Sequence, residues 1–130
     1  MTADLMYLAL TAALTASLWI PYVVAQSMTN GFLTPKNYTD PTPRPLPPWG
    51  RRADRTYMNA VETFAPFAAA VIVAHLAGKA NGMTAFWAAW FFWLRLAHAG
   101  AYLAGIPYVR TVVFTAAYVG VLGILWQILK

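Results

Sequence analysis

The chain has 130 residues, of which 60% are hydrophobic and only 10% charged, and its mean hydropathy is +0.52. Soluble domains carry roughly 25% charged residues, so this composition excludes an ordinary water-soluble globule and implies one integral membrane domain. The absence of cysteine excludes disulfides, thiolate metal sites and a cysteine nucleophile, and the net charge of +5, gathered mostly between residues 36 and 55, reads as a topology signal and not as nucleic-acid affinity.

The first apolar run extends from Leu5 to about Ala25. It is longer than the roughly 7–15 residues of a signal-peptide core and lacks a basic head, since Asp4 is its only early charge; a retained span over residues 4–28 is therefore expected. Residues 29–52 follow, in which Pro35, Pro41, Pro43, Pro45, Pro47 and Pro48 forbid a continuous helix, so an extended, polyproline-like loop is predicted. Further apolar stretches cover residues 53–78, 83–104 and 107–129. Gly78 to Gly82 forms a tight turn between the first two of these, and in Gly105-Ile106-Pro107 the proline is placed to open the last helix. At 1.5 Å per residue each stretch crosses about 30 Å of hydrocarbon. The fold class is all-α: a single-domain, integral membrane four-helix bundle with both termini on one side. Lys36, Arg44, Arg51 and Arg52 lie in the long loop, which by the positive-inside rule faces the cytoplasm.

Polar residues interrupt these spans in a pattern. Arg55, Asn59 and Glu62 stand at i, i+4 and i+7 on the second span, and Arg95, His98 and Tyr102 at i, i+3 and i+7 on the third. Arg110, with Thr111 beside it, stands near the head of the fourth. The topology puts all of them in the leaflet on the long-loop side. Two readings remain open for Asn59 and Glu62: interhelical glue, contributing under about 2 kcal/mol, or one wall of a polar cavity for a charged ligand. Arg110 either snorkels to the headgroups or meets an anion, because a cation at a helix N-terminus gains nothing from the helix dipole. His98 is by default a packing residue and His75 a structural one; neither has partners at metal-ligand spacing. Trp87, Trp90 and Trp93 read as lipid and helix contacts. No phosphate loop or nucleophile–base pair is present, and confinement of the polar groups to one leaflet argues against a channel.

The stretch R-x-x-x-N-x-x-E-x-x-x-P-F, carried by Arg55, Asn59, Glu62, Pro66 and Phe67, resembles the second-helix signature of the MAPEG family, the membrane-associated proteins in eicosanoid and glutathione metabolism. RLAHAGAYLAGIPYVRT, with Arg95, His98, Tyr102, Pro107, Arg110 and Thr111, resembles that family's third-to-fourth helix junction. The resemblance, to a prokaryotic-type member, implies a homotrimer with a glutathione site at each subunit interface. Arg55, Asn59 and Glu62 would hold the peptide's charged and amide groups, facing Arg95, His98 and Tyr102. Arg110 would favour the thiolate, and a hydrophobic small-molecule electrophile would arrive through the membrane lipids. The expected location is a bacterial inner membrane. The alternative is a non-enzymatic membrane subunit whose polar face is structural or binds lipid headgroups. Three departures from the family stand out: Met58 where some members carry arginine, no arginine in the first helix, where Gln26 and Asn30 are the nearby polar residues, and the long proline-rich loop.

Overall fold

The computed structural model describes residues 1–31, 34, 35, 39 and 44–130. Lys36, Pro41 and Pro43, part of the expected polyproline-like loop, lie outside the described residues, whereas Pro35 and Thr39 of that loop are helical and not extended, with Thr39 Oγ1 donating to Pro35 O at 2.9 Å. The described residues form helices α1 (Ala3–Ser17), α2 (Trp19–Asn30), α3 (Pro48–Leu76), α4 (Gly82–Ala104) and α5 (Val109–Leu129). No strand occurs among them.

The expected first span is present but broken at Leu18, which separates α1 from α2. Pro21 explains the break: it has no N–H for the carbonyl of Ser17 and its ring crowds that turn. Helix α3 begins at Pro48 and not at about residue 53, because a proline at the first helical position is already set at a helical φ and lacks only an N–H that would go unpaired there. Arg51 and Arg52 are consequently helical. Pro66 lies inside the same helix and deprives the carbonyl of Glu62 of its usual donor. Asn81 caps α4 in a reciprocal box with Thr84, and Gly105 ends α4 with φ of 75°. The amide of Ile106 closes that end by bonding to Ala101 O at 3.0 Å. Pro107 does not open the last helix as expected. Tyr108 occupies the N-cap with φ 68° and ψ −38°, and the Val109 amide bonds to Pro107 O at 2.8 Å, a three-residue turn that holds Pro107 outside the helix.

By length and composition Ala3–Asn30, Pro48–Leu76 and Val109–Leu129 are able to cross a membrane. The fourth expected span, α4, has 23 residues and, interrupted by Arg95 and His98, is not among these three. One face of it packs into the bundle, where Phe67, Ala70 and Val71 of α3, Ala88 and Phe91 of α4, and Ala117, Val121 and Ile124 of α5 form the core, while Phe86, Trp93 and Leu96 stay exposed on its other face. The rings of Phe67 and Phe91 stack with centroids 4.0 Å apart. Alanine and glycine at the crossings let backbones approach, as packing between membrane helices requires.

Candidate binding site at the long-loop end of the bundle

The antiparallel helices bring the head of α3, the tail of α4 and the head of α5 to one end. There a cavity of about 310 Å³ is lined by Arg55, Met58, Asn59, Glu62, His98, Tyr102, Arg110, Thr111 and Phe114. Six of the seven sequence-expected site residues line it. Arg55, Asn59 and Glu62 share the face of α3 that their spacing requires, and His98 and Tyr102 face them from α4.

Arg95 is the exception. It lies 4% exposed beneath the cavity floor, donates from Nη2 to Asn59 Oδ1 at 2.8 Å, and helps line a smaller apolar pocket with Glu62, Phe91, Phe114 and Tyr118. Its Nη1 and the Nδ1 of the buried His98 have no hydrogen-bond partner. Arg95 therefore ties α4 to α3 and positions Asn59, while its other nitrogen stays unsatisfied in the single chain. A buried, half-satisfied guanidinium is costly, and such a cost persists where a function or a further partner offsets it.

The guanidinium of Arg110 lies over the Tyr102 ring, 4.9 Å from its centroid. This cation–π contact orients a side chain that a helix N-terminus would otherwise leave unsupported. Among the described residues the Glu62 carboxyl and the Arg55 guanidinium take part in no hydrogen bond or ion pair, and both are exposed. The cavity thus holds two free cations, one free carboxyl and an amide at one level of an apolar bundle. It can receive a zwitterionic or anionic ligand of peptide size, since ligand cavities begin at about 300 Å³.

Two lining residues escaped the sequence reading. Phe114 stands one turn beyond Arg110 on the same face of α5, a signal available from spacing alone. Met58 was visible only as a departure from the family, yet it is 47% exposed and part of the wall. A second polar group went unread altogether. At the opposite end Asp4, 3% exposed, meets His75 Nε2 at 2.8 Å and accepts from Thr84 Oγ1 at 3.2 Å, while Thr2 Oγ1 donates to its other oxygen at 2.6 Å. His75 is thus a structural residue, as expected, but one whose partner on α1 is distant in the sequence.

These features define an integral membrane helix bundle in which Arg55, Glu62, His98 and Arg110 converge on one end, next to the turn between its last two helices. The chain belongs to the MAPEG family, whose model matches residues 5–130. No match was found among curated proteins or solved structures.

Proposed function

We propose that the cavity binds glutathione and either conjugates its sulfur to lipophilic electrophiles, as a transferase, or reduces hydrophobic hydroperoxides, as a peroxidase. In the peroxidase reaction two glutathione thiols become one disulfide and the hydroperoxide leaves as an alcohol and water. The observation that carries this reading is the joint placement of Arg55, Glu62 and Arg110 on one cavity with no ion pair among them. Glutathione offers two carboxylates, an ammonium and a thiol. Arg55 matches a carboxylate, Glu62 the ammonium and Asn59 a peptide group. Arg110 stands for the sulfur: a free thiol has a pKa of about 8.5, and an adjacent guanidinium favours the thiolate. The thiol proton leaves to solvent at the open side of the cavity. In the transferase reaction the sulfur lone pair then forms the C–S bond as the electrophile's leaving group departs or its strained ring opens. The apolar pocket under Glu62 and Phe114 suits the electrophile's hydrocarbon part.

Charged side chains exposed on the flank of a membrane bundle are expensive unless another surface covers them. Arg55 and Glu62 are such groups, which supports a homotrimer in which a neighbouring copy closes the cavity. The test is the ultraviolet thiolate band of glutathione bound to the purified protein at neutral pH, expected in the wild type and strongly reduced in Arg110→Ala. A wild type that neither retains glutathione nor turns over any model electrophile ends the reading. A second reading, a non-enzymatic membrane subunit, is favoured by the Arg95–Asn59 bond, which already uses an acceptor that a ligand would need.

A further inference from the structure

A second cavity, of about 420 Å³, adjoins the first across Arg110 and opens at the turn between α4 and α5. Arg52 and Arg110 line it together with Tyr102, Ile106, Tyr108 and Thr111, and no carboxyl group is among its described lining residues. Arg52 is held there by construction. Its Nε donates to Leu103 O at 3.4 Å, and the guanidinium carbon lies where Gly105 leaves room, since a Cβ at that position would stand 3.3 Å from Arg52 Cζ. With Nε engaged, the terminal nitrogens of Arg52 have no partner among the described residues. Arg110, fixed over Tyr102, supplies a second cation.

Two guanidiniums, the Thr111 hydroxyl and the Tyr108 phenol are donors arriving from several directions with no internal anion to neutralise them. That set suits a tetrahedral oxyanion better than a planar one. The cavity also sits at the helix ends, where phospholipid phosphates lie, and its rim carries, beside Ile106, the 86%-exposed Tyr108, a residue type that anchors at that level. We infer that this cavity is a phosphate-binding site, the phosphate being that of an anionic lipid headgroup or a free phosphate. The inference does not rest on the glutathione reading, which concerns the neighbouring cavity.

The experiment uses the full chain reconstituted in mixed phosphatidylglycerol–phosphatidylcholine vesicles, with retained lipid read by native mass spectrometry, and inorganic phosphate binding by phosphorus NMR as a separate arm. The wild type is expected to retain phosphatidylglycerol preferentially. Arg52→Gln should weaken that retention about tenfold, the scale of one charge-assisted contact, and Arg52→Lys should keep most of it. Ile106→Glu places a carboxyl at the rim without touching the Arg52–Leu103 bond; it should weaken retention similarly, which covers the case in which Arg52→Gln does not fold. Inorganic phosphate binding that depends on Arg52 without lipid preference assigns the site to free phosphate. Absence of both kinds of binding, or binding unchanged by Arg52→Gln and Ile106→Glu, overturns the inference.

Discussion

Arg95 donates to Asn59 at 2.8 Å, joining α4 to α3 at the base of the candidate site, and it does so from a position only 4% exposed. The bond has unequal ends. Asn59 is half-buried and can turn to the cavity, whereas Arg95 has no other side-chain partner among the described residues.

Asn59→Ala should therefore cost more than the bond itself, because it leaves a buried guanidinium without its acceptor: about 1–3 kcal/mol. Arg95→Met removes the charge and fills much of the same volume, and should cost less. Denaturant unfolding of the purified protein in detergent checks the order. An Asn59→Ala variant as stable as the wild type contradicts the positioning role of Arg95. The double variant should cost less than the two single changes combined, since the orphaned charge is gone.

The polar wall was legible from spacing, because helical period alone puts Arg55, Asn59 and Glu62 on one side, and the short α4–α5 turn forces Arg110 to their level. Depth was not legible. Periodicity places Arg95 and His98 on one stripe with Tyr102, but the packing of α3 against α4 decides that Arg95 goes under the floor and not into the cavity. Pro107 was misplaced for a related reason. A proline favours the first helical turn, yet here the end of α4 closes on Ile106, and the chain needs the turn at Tyr108 before it can start α5. The pairing of Asp4 with His75 spans 71 residues, and nothing local announces it.

That pair gives a second prediction. Asp4 is buried with Thr2, Thr84 and the Leu5 amide around it, while the His75 side chain is 25% exposed. Removing His75 leaves a buried carboxyl with neutral donors alone, whereas removing Asp4 leaves behind a partly exposed imidazole that water can reach. His75→Ala should thus destabilise by about 1–3 kcal/mol, and Asp4→Ala by less. Thermal unfolding in detergent measures both, and the reverse order would show that Thr2 and Thr84 alone satisfy the carboxyl. Neither change should alter ligand retention, because the pair lies at the other end of the bundle.

Gly123 has no side chain because Trp87 occupies the space: a Cβ there would stand 2.5 Å from the indole. Gly123→Ala must displace the ring or part α5 from α4, an overpacking cost of about 1–3 kcal/mol. The same change in a Trp87→Leu background should cost markedly less. A double-mutant cycle with no coupling between the two positions would place the indole elsewhere.

Met58 tests the glutathione reading by addition. It is on the cavity wall beside Asn59, 47% exposed, in a site whose free cations are Arg55 and Arg110. Met58→Arg adds a fork that an anionic peptide can use, and a hydrogen bond to a charged group contributes about 1.5–3 kcal/mol. Part of that gain is lost to repulsion among three cations, so glutathione should bind about threefold to tenfold tighter. Without ligand the same repulsion should lower the unfolding temperature slightly. With saturating glutathione the order should reverse, because ligand bound only to the folded state adds its binding free energy to stability. A variant that is destabilised equally with and without glutathione places the peptide elsewhere and returns the wall of Arg55, Asn59 and Glu62 to a packing role.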